Sequence, residues 1–349
     1  MPRRRSRSRT AKFALACLAV ASAAIMASAL VALLTSYPPF VDIEIPLRAA
    51  DRWMHGGMPY LPSSFSAPAG YDLPFLYPPV VLPFLAPLTL LPREMVWAGW
   101  LAIVIAAGVF TLRRLGVAWL LVPPILAWPP FAEGLVGGNV QVVLVAAFVA
   151  VFVPDPSTRG GRGADAQDGT LAALVPTFKI AQPHAWFALL RVRPKAAVLG
   201  AVVVVGIAVA TVPLVGTRLW FDWVDQINRA ADPAWPLAGA SLTAGMPVVV
   251  GLAVLAGTVA GTLVAPRRRL AAWVGALTVV GAPSLRMFGI LFLLPALLRI
   301  RLEIALVAAL LIATYTLQGL WAGIAVGIVG LIGAERYRLF QEFPEAEAI

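Results

Sequence analysis

Charge is what this sequence has least of. Asp, Glu, Lys and Arg make up only 13% of its 349 residues, while hydrophobic types make up 60%; an ordinary soluble domain carries roughly 25% charged residues. The shortfall excludes a chain solvated mainly by water. A single cysteine, Cys17, rules out an internal disulfide and any cysteine-based metal site. The sequence contains no Walker A loop, no H-E-x-x-H, no C-x-x-C and no G-x-S-x-G. ATP-driven transport, zinc proteolysis and serine hydrolysis therefore lack the residues their chemistry requires.

What is present is a series of apolar blocks from Phe13 to Ala334, with a mean hydropathy of +0.86. A bilayer core of about 30 Å takes roughly 20 helical residues to cross, and several blocks reach that length. The expected fold is all-α: a polytopic transmembrane helical bundle of about 10–12 crossings. The first block, Phe13 to Leu34, follows a basic run but is too long for a signal-peptide core. It leads into Tyr37-Pro38-Pro39 without a small-residue cleavage site, so it reads as a retained span.

The net charge of +10 points to orientation rather than to nucleic acid, because Lys and Arg are retained on the cytoplasmic side of spans. Clusters at Arg3 to Lys12, Arg113-Arg114, Arg159 with Arg162, Arg191 to Lys195, Arg267 to Arg269, Arg299 with Arg301, and Arg336 with Arg338 hold most of the 27 basic residues. Placing them all inside puts both termini (1–12 and 335–349) in the cytoplasm of a plasma-membrane protein. It leaves outside Arg48, Arg52, Arg93, Lys179, Arg218, Arg229 and Arg286. The integral domain is then 13–334, with long outward loops at 37–93 and 216–243.

In the first loop, the short and proline-punctuated run Tyr77 to Leu91 predicts a helix lying on the surface or dipping into it rather than a crossing. The second loop alternates Trp220, Phe221 and Trp223 with Asp222, Asp225 and Arg229, which suits an interfacial amphipathic helix. The stretch 171–190 begins and ends at basic clusters, yet holds only about twenty residues with Pro176, Lys179 and Pro183 inside. It reads as two half-helices meeting at Lys179, an arrangement tolerated at membrane depth where it lines a wet cavity.

Four segments in order resemble a known family. These are Asp42-Ile43-Glu44-Ile45-Pro46-Leu47-Arg48, then Gly56-Gly57-Met58-Pro59-Tyr60, then Leu76-Tyr77-Pro78-Pro79 with Pro87 and Leu91-Pro92, and later Gly138-Asn139-Val140-Gln141 with Lys179 and Pro183. Together they look like glycosyltransferase family 87, integral membrane enzymes of the GT-C fold. The resemblance implies transfer of a sugar, mannose favoured over arabinofuranose, from a polyprenyl phosphate to a glycolipid or polysaccharide at the outer face. It implies Asp42 as the general base in an inverting attack. It implies Lys179, Arg48 and Arg286 as neutralisers of the donor phosphate, and Glu44, Tyr77, Asn139 and His184 as substrate contacts. Neither cofactor nor metal is expected, because Glu44, Asp51 and Asp72 are spaced so that none shares a helix face with Asp42, whereas hard cations take several oxygen ligands.

Two departures stand out. Pro283-Ser284-Leu285-Arg286-Met287 lacks the family's Trp and His, for which His184 is the candidate replacement, and Ala240-Ser241-Leu242 shortens another family element. A secondary transporter would also use a broken helix and a buried cation, but the halves of this chain show no inverted symmetry. A lapsed family member serving as a lipid-binding subunit is the other reading.

The topology is directly testable. In a Cys17→Ser background on intact cells, cysteines at Ser66 and Ala231 are expected to react with an impermeant maleimide and one at Gly163 to remain unlabelled. Labelling at Gly163 would invert the orientation.

Overall fold

The computed structural model describes residues 9–36, 38–66, 71–153, 162–178, 184–230, 248–282, 286–300, 302–313 and 327. Among these the chain is helical, with no strands. In order the helices are α1 (Arg9–Ser36), α2 (Val41–Met54), α3 (Val81–Thr89), α4 (Arg93–Arg114), α5 (Val122–Leu126), α6 (Pro129–Gly137), α7 (Gln141–Phe152), α8 (Arg162–Phe178), α9 (His184–Val192), α10 (Pro194–Val215), α11 (Thr217–Ala230), α12 (Val248–Val264), α13 (Leu270–Val280), α14 (Leu294–Leu297) and α15 (Leu302–Ala313).

Among the described residues, α4 and α10, of 22 residues each, are long and apolar enough to cross a bilayer. The α5–α6 region makes a third candidate if its two arms, bent by 70°, count as one span. That bend has a sequence cause. Trp128 precedes Pro129 and takes φ −63°, ψ 132°, the extended geometry that a following proline imposes. The apolar run is therefore broken at Ala127–Trp128. α10 shows the lipid-facing signature plainly: Val198, Val202, Val205 and Val209, spaced four, three and four residues apart, are all more than half exposed. A stripe of that kind is stable in acyl chains and not in water.

Both loop segments contain helices. α3 has nine residues, about 14 Å of helix at 1.5 Å per residue, and packs on α2 instead of crossing. α11 buries Leu219, Trp223 and Gln226 along one face, and the Trp223 indole donates to the Leu76 carbonyl at 3.1 Å, so α11 lies against the segment that leads into α3. One expectation needs revision. The helix entering the 171–190 region begins at Arg162, not near 171, and runs 17 residues. Asp168, in its N-terminal half, pairs with Arg193 at the head of α10. The helices on either side of Lys179 are thus α8, of 17 residues, and α9, of nine; residues 179–183 lie outside the described residues.

α8 and α10 are the most closely apposed pair. At Gly169 a Cβ would fall 2.6 Å from the Ala196 carbonyl oxygen and 3.0 Å from Leu199 Cβ, a small-residue contact of the type that lets membrane helices approach backbone to backbone. Gly169→Leu should prise the pair apart and cost about 1–3 kcal/mol as overpacking, with Gly169→Ala milder. The check is thermal stability of the detergent-solubilised protein by fluorescence-detected size exclusion; an unchanged midpoint in Gly169→Leu would refute the close packing.

Candidate active site

The site is built around the first turn of α2. Phe40, just before that helix, adopts φ 57°, ψ 19°, a left-handed conformation uncommon for a non-glycine residue. Two contacts hold it there. Its N–H donates to the Val136 carbonyl at 2.7 Å, and its ring stacks on Trp97 at 5.1 Å. The chain is thereby turned so that Asp42 projects toward the α6–α7 junction.

That junction is equally constrained. α6 ends at Gly138 with φ +67°, and a Cβ at this position would meet Ile43 Cγ2 at 3.0 Å and Trp100 Cδ1 at 3.1 Å. Only glycine suits both the backbone and the space. The Trp100 indole donates to the Gly138 carbonyl at 2.6 Å. Asn139, 2% exposed, follows. Its Oδ1 accepts from the Gln141 N–H at 2.8 Å, capping α7, and its Nδ2 donates to Asp42 Oδ2 at 2.9 Å. The cap fixes the amide's orientation, so the end facing Asp42 is the donating one.

Asp42 is half-buried and opens into a narrow cleft whose other walls include Pro46, Tyr77, Val81, Trp100 and Phe178. Loss of hydration, with the nearby Asp42 charge, pushes the Tyr77 phenol well above its ordinary range, so it stays an O–H donor. Phe178, the residue before Lys179, ends α8 at this cleft. His184 is the first residue of α9, and its side chain lies outside the described set. Arg286 is partly buried and opens the 3₁₀ segment Met287–Leu293, which packs on α6. The shortened segments 240–242 and 283–285 lie outside the described residues.

Glu44 and Arg48 belong to a separate cluster. Glu44, with its side chain 7% exposed, accepts from Arg48 Nε at 3.2 Å and lies 3.8 Å from Arg93 Nε; the Trp97 indole donates to it at 3.3 Å. Arg48 also reaches Asp72 at 3.3 Å and covers the Tyr71 ring. Glu44 thus ties α2 to the head of α4, and Arg48 already has two carboxylate partners. Sequence reasoning missed Phe40, Trp97 and Trp100. Nothing local marks them, because their roles depend on partners some 40 to 100 positions away.

The double duty of Asn139 makes its variants informative. Asn139→Ala removes cap and tether together and should cost about 1–2 kcal/mol, in the range of lost caps. Asn139→Asp can still cap α7 but sets a second carboxylate against Asp42, so one of the pair is protonated when folded. The folded-state pKa of that pair is raised, which means its stability is intact at low pH and is lost as pH rises through the raised value. The Asn139→Asp melting temperature should therefore fall as pH rises above about 4, the ordinary carboxyl value, while wild type and Asn139→Ala show no such slope. Parallel profiles for the three proteins would contradict the Asp42–Asn139 contact.

Comparison with known proteins places this geometry. No curated protein and no solved structure matches the chain. The family model for glycosyltransferase family 87 matches residues 75–253, just over half the sequence. The match begins downstream of Asp42 and includes Tyr77, Trp100, Asn139 and Phe178, the residues that surround it. With its lipid-facing helices and this match, the chain is an integral membrane protein that belongs to glycosyltransferase family 87.

Proposed function

We propose that the protein transfers a sugar, mannose in preference to arabinofuranose, from a polyprenyl phosphate to a glycolipid or polysaccharide at the outer face of the plasma membrane, with Asp42 as general base. The observation that carries this reading is the Asn139–Asp42 hydrogen bond, which joins a carboxylate of α2 to the family-matched part of the chain beside a mostly apolar cleft. A half-buried carboxylate at the wall of such a cleft suits an acceptor hydroxyl.

In the proposed reaction Asp42 takes the hydroxyl proton as the acceptor oxygen attacks the anomeric carbon. The bond from that carbon to the phosphate oxygen breaks on the opposite side, giving an inverted glycoside and free polyprenyl phosphate. Asn139 acts as a positioning residue that fixes the Asp42 rotamer through its bond to Oδ2. Lys179, next along the chain from Phe178, and Arg286 are the proposed counter-charges for the departing phosphate. Arg48 would serve only by exchanging one of its carboxylate partners. Tyr77 supplies a hydroxyl donor at the cleft; Glu44, enclosed by Arg48, Arg93 and Trp97, holds α2 in place.

Asp42→Asn keeps the shape of the side chain and removes the base, which typically costs about 10² to 10⁴ in rate. Purified Asp42→Asn should bind polyprenyl-phosphate sugar normally and lose turnover, while Lys179→Ala should weaken donor binding and Lys179→Arg restore part of it. Wild type should turn over in excess EDTA. Near-normal turnover of Asp42→Asn would defeat the base assignment, and EDTA inhibition reversed by Mg²⁺ or Mn²⁺ would defeat the metal-free mechanism.

A further inference from the structure

A second and larger pocket lies at the opposite end of α2. It has a volume of about 200 Å³ and is lined by Arg52, Ser63, Ser64, Tyr71, Asp72 and Phe75 among others. Arg52 stands ten residues after Asp42, about 15 Å along the helix. The Arg52 Nε is buried without a hydrogen-bond partner, and the guanidinium makes only a long contact, 3.4 Å from one of its terminal nitrogens to the Pro59 carbonyl. Asp72 spends one carboxylate oxygen on Arg48, which leaves the other to accept. The pocket therefore offers an unpaired donor, a free acceptor lone pair, a serine hydroxyl at Ser63 and the partly exposed ring of Tyr71.

That combination selects among ligand chemistries. A phosphate would meet Asp72 as well as Arg52, and Asp51 lies close enough to act on the Arg52 charge; the local charges are balanced, so an anion gains little. A purely apolar ligand would leave Arg52 Nε unpaired, and buried polar groups without partners are costly. A neutral ring bearing several hydroxyls satisfies both requirements: hydroxyl oxygens accept from Arg52, hydroxyl hydrogens donate to Asp72, and a C–H face rests against Tyr71. The volume also fits, since cavities of about 150 Å³ hold one six-membered ring in other proteins.

The pocket is connected to the cleft. Phe75 lines the pocket and packs 5.8 Å from the Tyr77 ring, which lines the cleft. Tyr60 stacks on Phe75 at 5.2 Å and donates its hydroxyl to the Tyr77 carbonyl at 2.8 Å. Tyr71 donates to the Pro39 carbonyl, three residues before Asp42. The two sites thus share an aromatic wall and the same helix.

We infer that this pocket is a subsite for a neutral sugar ring of the acceptor, set back from Asp42 along α2, so that the preferred acceptor already carries sugar. The inference rests on the proposed glycosyl transfer, but its test reads binding and not turnover. Full-length protein in nanodiscs is titrated with the methyl glycosides of mannose, arabinofuranose, glucose and galactose, and binding is followed by saturation-transfer NMR. At least one glycoside should bind wild type and Asp42→Asn equally, with Kd raised tenfold or more in Arg52→Gln and in Ser63→Trp, which narrows the pocket from a different wall. Both variants are first shown to melt like wild type; the variant that does so carries the test if the other does not fold. Absence of binding by all four glycosides would overturn the subsite, as would binding unchanged in the pocket variants, binding lost in Asp42→Asn, or displacement of the glycoside by inorganic phosphate. Retained turnover in Asp42→Asn would unseat the base and leave this result standing.

Discussion

One amide side chain holds the site together. Asn139 is buried between two elements that are 97 residues apart in sequence at their point of contact, and it satisfies both at once: an orphan N–H at the start of α7 and a carboxylate at the start of α2. A buried amide left half-paired would be expensive, so the two contacts enforce each other. The cap sets which end of the amide faces Asp42, and Asp42 in turn rewards the amide for staying buried. The strained Phe40 backbone, the left-handed Gly138 and the Trp100 indole all serve to bring these two helix starts within reach. Backbone strain of this kind persists only where the surroundings over-determine it, and here the Val136 carbonyl and the Trp97 ring supply that constraint.

Around this contact the protein divides its polar groups by task. Asp42 and Tyr77 face a cleft that is otherwise apolar. Glu44, Arg48, Arg93 and Asp72 form an ionic cluster on another side of α2. An isolated charge pair at a surface is worth little. Glu44 is different because its side chain is enclosed and meets three donors, so removing it would leave cations partly desolvated. The separation lets one short helix carry both the proposed base and the anchors that position it.

Much of this fold is legible in the residues, and the limits of that reading are physical. The apolar runs that become α4 and α10 announce themselves by length, since a bilayer demands about twenty residues. The surface helices α3 and α11 are legible from prolines and from the alternation of aromatic and charged residues. The start of α8 is not, because Arg162 resembles other cytoplasmic markers and its pairing partner system, Asp168 with Arg193, is visible only in three dimensions. The same limit applies to Arg48. As a lone cation near an expected base it looks free for phosphate, but Asp72, 24 positions on, claims it. Asp42 and Asn139 could each be singled out from motif, while the bond between them could not, since nothing in either segment encodes the distance to the other.

The Glu44 cluster has one more consequence, which concerns the bilayer. α2 lies across the head of α4, and Arg93 and Trp97, its partners, occupy the first turns of that spanning helix. A 22-residue span adapts to membrane thickness mainly by tilting. Because the ionic clamp ties α2 to the head of α4, a change in the tilt of α4 would be carried through Glu44 to the helix that bears Asp42.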